Sequence, residues 1–344
     1  MNPLLLALLI TSLSTSTIIT MSSNHWLLAW LSLELNTLSI LPITMKPAHP
    51  RATEATTKYF LIQTTAAALI LCATTLNVWQ TGQWTILHTP NPITTMLLTM
   101  AIALKLGLAP MHLWYPDVLQ GSTLPTALII STWQKIAPLA LLMMMHNHLN
   151  TSALMTLGLI SALVGGWTGL NQTQVRKIMA FSTIAHMGWL MMALSLNQEL
   201  TTLTMTLYIM MTTTLFFSLT TTTTKTISDM GTAWPSSPTL MTMTMLTLMS
   251  LGGLPPLTGF LPKWLIMKEL THAPALSTLM LLASLPSLFF YTRLAYFSMM
   301  TTPPTTTNTE HKWRLNNQLK PNTMLTTPMA LLLLPLAPLL HNTT

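Results

Sequence analysis

Long apolar runs separated by short polar loops are the feature that most restricts how this chain can fold. Of its 344 residues, 50% are hydrophobic and only 6% are charged, whereas soluble domains carry about 25% charged residues. The seven acidic and fourteen basic residues are too few to cover a water-exposed surface. Because a membrane span needs about 20 mostly apolar residues, the pattern predicts an all-α polytopic membrane protein with about 11 transmembrane helices.

The basic residues are concentrated in loops on one side of the predicted bundle. Loops that follow even-numbered helices share the side of the N-terminus and carry Lys46, Arg51, Lys58, Arg176, Lys177, Lys225, Lys312, Arg314 and Lys320. Loops on the opposite side carry essentially Lys268. Since lysine and arginine favour the inner side of a membrane, we expect the N-terminus inside and the C-terminus outside. The same distribution accounts for the net charge of +7 without a nucleic-acid partner.

The cysteine count and the absence of nucleotide-binding motifs exclude several kinds of site. A single cysteine, Cys72, permits neither a disulfide framework nor a cysteine-ligated cluster. The sequence has neither a glycine-rich dinucleotide motif nor a P-loop, so we expect no nucleotide cofactor in this chain. The first residues form neither a basic signal region nor an arginine-rich presequence, so we expect the first apolar run to be a retained span.

Two predicted helices contain internal breaks of similar composition. Residues 104–114 (LKLGLAPMHLW) and 251–264 (LGGLPPLTGFLPKW) each combine glycine, proline, lysine and a closing tryptophan. They lie in the fourth and ninth predicted helices, five places apart, and because five is odd the two would cross the membrane in opposite directions. This pattern predicts two inverted repeats of about five helices each, at 1–149 and 150–300. A polar loop and a C-terminal helix, at 301–344, complete a single membrane domain.

Four charged residues lie inside predicted spans, at similar depth for a rise of about 1.5 Å per residue. They are Glu34, Lys105, Lys135 and Lys263. A charge in the membrane interior costs about 2.5–3.5 kcal/mol on insertion scales and usually has a function. The four residues could form static ion pairs. We favour a proton relay, because three lysines share one carboxylate and a buried lysine can lose its proton.

Prolines accompany these lysines. Pro110, Pro138 and Pro262 each lie close to one of them, and Pro138 falls inside a predicted continuous helix over 123–145. Proline removes a backbone hydrogen bond, and a carbonyl freed within a membrane must be met by water or a side chain. We therefore expect water near the lysines, although each proline alone is equally consistent with a packing kink.

Two histidines add to the candidate relay. His112 follows Lys105 by two helical turns, and His186 lies in the middle of a predicted span. A histidine can transfer protons near neutral pH, or it can be a hydrogen-bonded core residue, and both interpretations remain open. Haem ligation is not expected, because these histidines are single and a bis-histidine site needs facing pairs.

Seven stretches distributed along the chain form a distinctive set. They are MNPL, HWLLAWLSLELNTLSILP, HPRATEATTKYFL, LKLGLAPMHLWYPDVLQG, TWQKIAPL, GLNQTQVRKIMAFSTIAHMGW and LMSLGGLPPLTGFLPKW. Together they resemble the antiporter-like membrane subunits of respiratory complex I, over essentially the whole chain. The resemblance implies a proton-conducting subunit without a redox centre of its own. Flavin, iron–sulfur clusters and quinone are then expected in other subunits of the complex.

The resemblance also implies roles for particular residues. The family carries a glutamate paired with a lysine on the first broken helix, a lysine on the next helix, a central histidine and a charged residue on the second broken helix. Matched by motif, these are Glu34, Lys105, Lys135, His186 and Lys263. A charge change from a neighbouring subunit would separate the Glu34–Lys105 pair, and the released proton would pass along the remaining positions.

The implied setting is an assembled complex in the mitochondrial inner membrane. Expected partners are other complex I membrane subunits, including antiporter-like neighbours, and lipids such as cardiolipin. Neither a homo-oligomer nor a nucleic-acid partner is expected. Bacterial relatives carry additional N-terminal helices, so other subunits or lipid would cover the corresponding surface here. The N-terminus then faces the matrix and the C-terminus faces the intermembrane space.

Two other functions share these sequence features. A stand-alone cation/proton antiporter would have the same buried lysines and inverted repeats, whereas a purely structural subunit would use the charges only to hold its neighbours. Sodium-dependent transport by the isolated chain would favour the first. Loss of assembly without loss of pumping, after a lysine is neutralised, would favour the second.

Overall fold

The chain is α-helical throughout the part that the structure describes. The structure is a computed structural model that covers residues 3–89, 91–235, 237–299 and 321–334. Within these ranges the extended pairings are two isolated antiparallel bridges, His25–Thr85 and Gln174–Thr226. The predicted all-α class is therefore confirmed. Of the polar loop predicted over 301–322, residues 301–320 lie outside the described residues, and the last two lie in the helix that begins at Pro321.

The pattern of contacts divides the chain into two compact units, Met1–Gly158 and Leu159–Thr344. The helices of the first unit are α1 (Pro3–Ser22), α2 (Trp26–Met45), α3 (Pro50–Thr81), α4 (Pro92–Leu106), α5 (Trp114–Gly121), α6 (Leu124–Ser131) and α7 (Trp133–Met144). Helix α3 packs against α2, α4 and α5, while α1 packs on α2 and α4 packs on α7. Both halves of the first broken helix, α4 and α5, therefore lie against α3.

Helix α8 (Thr151–Gly169) begins in the first unit and continues into the second. The further helices of the second unit are α9 (Val175–Leu196), α10 (Gln198–Thr222), α11 (Ile227–Ala233), α12 (Pro238–Gly252), α13 (Phe260–Glu269), α14 (Pro274–Ser298) and α15 (Pro321–Leu332). Helix α9 is almost entirely buried and packs against α10, α13 and α14. Helix α12 packs against α10, α14 and α15, so the second broken helix, α12 and α13, lies beside both α10 and the C-terminal helix.

Eight stretches in the described part of the chain are long and apolar enough to cross a membrane. They are Pro3–Ser22, Trp26–Met45, Pro50–Thr81, Leu124–Met144, Thr151–Gly169, Val175–Leu196, Gln198–Thr222 and Pro274–Ser298. One of them, Leu124–Met144, joins α6 and α7. The halves of the two broken helices and the described part of the C-terminal helix are each shorter than a full span. The chain is therefore a multi-span membrane protein, and the larger number of spans stays a prediction.

Threonine and serine hydroxyls are largely satisfied within the helices that carry them. Thr183 donates to the carbonyl of Ala180, and Thr244 donates to the carbonyl of Met241, each at 2.8 Å. Such a bond to the preceding turn hides a hydroxyl from an apolar environment. It explains how a chain rich in threonine forms apolar spans.

One predicted helix is interrupted. The helix expected over 123–145 divides into α6 and α7 at Thr132, whose φ and ψ are −111° and −68°. The hydroxyl of Thr132 and its backbone N–H both donate to the carbonyl of Leu128, at 2.7 and 3.0 Å. A hydroxyl that competes for a helix carbonyl bends the helix locally. The interruption therefore precedes Pro138, which lies inside α7.

The connection between α10 and α12 contains the short helix α11. Its N-terminus is a capping box, in which the Thr226 hydroxyl accepts from the backbone N–H of Asp229 and the Asp229 carboxylate accepts from the backbone N–H of Thr226. The backbone N–H of Thr226, followed by the Thr226 hydroxyl, holds the pKa of the Asp229 carboxyl below its ordinary value. A threonine followed three residues later by an aspartate is the sequence signal for this helix start.

Candidate functional site

Both broken helices end on a left-handed glycine. The segments between their halves, 107–113 and 253–259, are each seven residues long. Their first residues, Gly107 and Gly253, have φ angles of 70° and 84°, a conformation that glycine adopts without the steric cost of a side chain. Each glycine N–H donates to carbonyls of the preceding turn, which caps the first half of the helix. The structure thus has both predicted breaks, and they are equal in length.

Counted from these glycines, two prolines in and after each break occupy matching positions, whereas the lysines do not. The matched pairs are Pro110 with Pro256, Pro116 with Pro262, Lys105 with Leu251, and Asp117 with Lys263. The lysines that the sequence places in the two breaks therefore do not occupy matching positions. Lys105 precedes the first break, and Lys263 follows the second.

Lys135 lies against the end of the first half-helix. Its Nζ donates to the carbonyl of Leu106, the last residue of α4. The ammonium group also lies over the ring of Tyr115, 4.1 Å from its centroid. The C-terminal end of a helix carries a partial negative charge, and an aromatic face attracts a cation. For Lys135, which is 2% exposed, the helix terminus and the aromatic ring are thus the contacts that favour an ammonium group, and it forms no ion pair with a carboxylate among the described residues.

Lys263 makes the equivalent contact in the second unit. Its Nζ donates to the carbonyl of Gly252, the last residue of α12, at 2.7 Å. The ring of Trp189 lies 5.9 Å from the same nitrogen. A Cβ atom at Gly253 would be 2.9 Å from this nitrogen, so the missing side chain makes room for the lysine. Each unit therefore presents the carbonyl end of a broken helix to a lysine ammonium beside an aromatic ring.

Glu34 and Lys105 are neighbours but do not form a direct ion pair. Lys105 is 5% exposed, and its Nζ has no hydrogen-bond partner among the described residues. Glu34 is close enough for the two charges to interact, and its carboxylate accepts a hydrogen bond from the Thr37 hydroxyl at 3.2 Å. Lys58, in contrast, forms direct ion pairs with two carboxylates. Glu34 and Lys105, which the sequence predicts as a pair, therefore interact through their charges without a hydrogen bond between them.

A small cavity connects the two lysines of the first unit. Lys105 and Lys135 both line it, and its volume of about 10 Å³ is close to the space that one water molecule requires. Gln134 also lines this cavity. Its side-chain NH2 donates to Asn36 at 3.1 Å, and its side-chain carbonyl accepts from the Tyr59 hydroxyl at 3.5 Å. The cavity therefore provides polar groups between two positions that can carry a proton.

His186 and Lys263 share a second cavity, of about 20 Å³. The His186 Nδ1 lies 2.8 Å from the carbonyl of Ser182, one turn earlier in α9. The His186 ring faces Tyr208 and Tyr291, at centroid distances of 5.7 and 6.3 Å. Because His186 is close enough to Lys263 for their charges to interact, a proton on one of them disfavours a proton on the other.

His112 occupies a different environment from the other candidates. It lies in the first break, is 8% exposed, and its Nδ1 has no hydrogen-bond partner among the described residues. It does not contribute to the lining of the cavity between Lys105 and Lys135. Its role in a relay stays a prediction.

Sequence reasoning missed two polar residues that line the cavity shared by Lys105 and Lys135. Asn36 and Gln134 are 2% and 8% exposed, and they lie on membrane helices beside Glu34 and Lys135. A polar amide inside an apolar run is the signal that identifies such residues. Among the described residues, no group of three or more histidine, cysteine, aspartate or glutamate side chains is placed to hold a metal ion.

Comparison with known proteins assigns the chain to a family. A family model described as NADH:quinone oxidoreductase/Mrp antiporter, TM, matches residues 23–290, and a model of the NADH dehydrogenase subunit 2 C-terminus matches residues 288–341. The chain is 52% identical over 341 residues to the NADH-ubiquinone oxidoreductase chain 2 of Oncorhynchus mykiss, covering 98% of both chains. The chain belongs to the NADH-ubiquinone oxidoreductase chain 2 family. This family is the one indicated by the sequence motifs.

Other members and solved structures agree with this family assignment. The NADH-ubiquinone oxidoreductase chain 2 of Gallus gallus is 51% identical over 342 residues, with 99% of both chains covered. The fold is similar to that of a chain in the respiratory complex I of Thermus thermophilus, with a TM-score of 0.84 and 26% identity. That match covers 99% of this chain and 78% of the other. The structural similarity therefore covers nearly the whole of this chain.

Proposed function

We propose that this chain is a membrane subunit of the proton-pumping NADH:ubiquinone oxidoreductase and carries protons from the matrix to the intermembrane space. Its relatives are named as chain 2 of that enzyme, and its fold is similar to that of a complex I chain. The observation that carries the proposal is the lysine ammonium bound to the terminal carbonyl of a broken helix, beside a small cavity, in each unit.

The chemistry follows from the surroundings of these lysines. Burial disfavours the ammonium form, whereas the helix terminus and the aromatic ring favour it. Neither Lys135 nor Lys263 has a carboxylate in an ion pair to fix its charge among the described residues. A modest change in the local potential can therefore remove or restore its proton.

Glu34 and Lys105 supply such a change in the first unit. Their charges interact without contact, so a charge arriving from a neighbouring subunit can alter the balance between them without first breaking a hydrogen-bonded ion pair. Lys105 then exchanges a proton with Lys135 across the cavity that both line. In the second unit, His186 and Lys263 exchange a proton in the same way.

The finer architecture belongs to the same proposal. Each broken helix crosses the membrane once, and together with the C-terminal helix they raise the eight full-length spans to the predicted number. The equal length and shared prolines of the two breaks support inverted repeats at 1–149 and 150–300. The chain lies in the mitochondrial inner membrane with its N-terminus in the matrix, as its basic loops indicate.

Partners and cofactors follow from membership of the complex. Other membrane subunits, including antiporter-like neighbours, and lipids such as cardiolipin surround the chain. Flavin, iron–sulfur clusters and quinone act in other subunits, and this chain has no redox centre of its own. Its contribution is therefore proton movement alone.

Lys135 offers a sharp test of proton transfer against static charge. Lys135→Arg keeps a positive charge that does not deprotonate in proteins, whereas Lys135→Met removes the charge. Both variants are measured in the assembled complex in membrane vesicles, with NADH oxidation and proton translocation recorded together. We expect both to lower the number of protons moved per NADH. Lys46→Met, in an exposed loop, is the control and keeps the wild-type ratio.

The outcomes separate the alternatives. If Lys135→Arg pumps like the wild type while Lys135→Met fails to assemble, the lysine is a structural charge and the proposal is wrong. The family model that matches this chain also covers Mrp antiporters, which keeps a cation/proton antiporter as the second candidate. Sodium-dependent proton movement by the isolated chain, with no dependence on NADH, would identify that function instead.

A further inference from the structure

A buried hydroxyl joins the second break to the C-terminal helix. Thr258 lies in the segment 253–259 and is 1% exposed, and its hydroxyl donates to the backbone carbonyl of Ala330. Ala330 is the third residue from the end of α15, where helix carbonyls lack partners further along the helix. Most threonines in the described helices bond to their own helix, as Thr247 does. Thr258 instead bonds to an element that packs against α10 and α12.

The position of Thr258 is transmitted to Lys263 through the start of α13. The carbonyl of Thr258 accepts from the backbone N–H of Leu261 at 3.1 Å. The next residue, Gly259, lies so close to α12 that a Cβ atom there would be 1.7 Å from the carbonyl oxygen of Ser250. The segment is thus held on both sides immediately before Lys263, which lies in the first turn of α13.

We propose that Thr258 is a positioning residue, and that its bond to the C-terminal helix keeps Lys263 at the terminal carbonyl of α12. The proposal rests on the proposed function, because it concerns the placement of a relay lysine. In the first break the matching position is His112, whose Nδ1 has no partner among the described residues. The C-terminal helix therefore supports the second break through the bond between Thr258 and Ala330. The matching residue of the first break, His112, makes no such bond through its Nδ1.

The test is Thr258→Val in the assembled complex, since valine keeps the shape of threonine and removes the hydroxyl. We expect proton translocation per assembled complex to fall about fivefold, because one net hydrogen bond corresponds to about that factor in an equilibrium. The pH optimum of translocation also shifts, because Lys263 loses a fixed carbonyl partner. Thr258→Ser restores the hydroxyl and returns both quantities to the wild-type values.

Thr247→Val is the matched control. Thr247 is also 1% exposed, but its hydroxyl donates to the carbonyl of Thr244 within α12, at 2.9 Å. We expect this variant to keep the wild-type rate and pH optimum. If Thr258→Val behaves like Thr247→Val, or if Thr258→Ser does not recover pumping, the positioning role is refuted.

Two further variants, Lys263→Met and Thr258→Cys, separate the possible outcomes. Lys263→Met distinguishes the two proposals, because unchanged pumping in that variant refutes the proposed function itself. Loss of pumping in Lys263→Met with normal pumping in Thr258→Val refutes only the positioning role. If no complex containing Thr258→Val assembles, Thr258→Cys replaces it, since a thiol has a similar shape but is a weak donor. The same outcomes then apply.

Discussion

The two broken helices share a capping glycine and the length of the break, but the lysines that bind their terminal carbonyls come from different places. Each ends on a left-handed glycine and resumes after seven residues. In the first, the terminal carbonyl of α4 is bound by Lys135 from α7. In the second, the terminal carbonyl of α12 is bound by Lys263 from α13, the second half of the same broken helix. The shared feature is the geometry at the ammonium group. The position of the lysine in the sequence is not shared.

The surroundings of the two lysines differ as well. The cavity beside Lys135 contains amide side chains and a second lysine, Lys105, which interacts with Glu34. The cavity beside Lys263 contains His186 and aromatic rings. The first site can therefore respond to the charge of a carboxylate, and the second to the charge of a histidine. The two units therefore share a lysine bound at a helix terminus, but that lysine lies beside Lys105 and Glu34 in the first unit and beside His186 in the second.

The largest expected effect comes from removing each lysine in turn. Lys135→Met and Lys263→Met should each lower proton translocation by about a hundredfold or more, the usual contribution of a proton-transfer group. The measurement is acidification of the lumen of vesicles whose matrix face is outward, at saturating NADH and normalised to assembled complex. Equal losses support the equivalence of the two sites. A large loss in only one variant would show that the shared geometry does not mean a shared role.

The capping glycines should respond unequally. Alanine at either Gly107 or Gly253 meets a left-handed backbone, which costs about 1–2 kcal/mol. At Gly253 the new Cβ would also lie 2.9 Å from the Lys263 Nζ, whereas at Gly107 the nearest atom, on Trp114, is 3.4 Å away. Gly253→Ala should therefore lower both the thermal stability of the complex and its pumping. Gly107→Ala should lower the stability with a smaller effect on pumping, and the reverse order would contradict the contact made by Lys263.

Much of this comparison could be predicted from the sequence, because a lysine in an apolar run is costly and a proline beside it interrupts the helix. These two signals identified the breaks and the candidate lysines. The sequence pattern could not indicate that Lys135 binds the carbonyl of Leu106, because the two residues lie on different helices and no local rule relates them. The sequence showed that each break contains a lysine, but the positions of Lys105 and Lys263 can be compared only once the capping glycines are located, and they then do not match.

The sequence did not identify the two amide residues of the first cavity, and the reason is different. Asn36 and Gln134 carry no formal charge, so a search for buried charges passed over them. Their mutual hydrogen bond becomes evident only when α2 and α7 pack together. The sequence also predicted Glu34 and Lys105 as a charge pair, but it could not indicate how far apart packing holds the two side chains.

The amide network offers a test of the difference between the cavities. Gln134→Leu removes the bonds to Asn36 and Tyr59 and leaves their buried polar atoms without that partner, which costs about 1–3 kcal/mol. We expect a several-fold loss of pumping and a lower melting temperature of the complex. Leu190→Met, a volume-conserving change at the lining of the other cavity, is the control and should preserve both. Normal pumping in Gln134→Leu would exclude the amides from the proton route.

The smallest effect is expected at Asp117, which occupies in the first break the position that Lys263 occupies in the second. Asp117 accepts from Lys58 at 2.9 Å, and Lys58 also pairs with Glu54 at 2.8 Å. The three side chains are 40–63% exposed, and solvent screens exposed ion pairs strongly. Asp117→Asn should therefore leave proton translocation and its pH dependence unchanged, as measured in vesicles beside Lys263→Met. If Asp117→Asn instead reduced pumping as Lys263→Met does, position relative to the capping glycine, and not contact with the helix terminus, would determine which residue moves the proton.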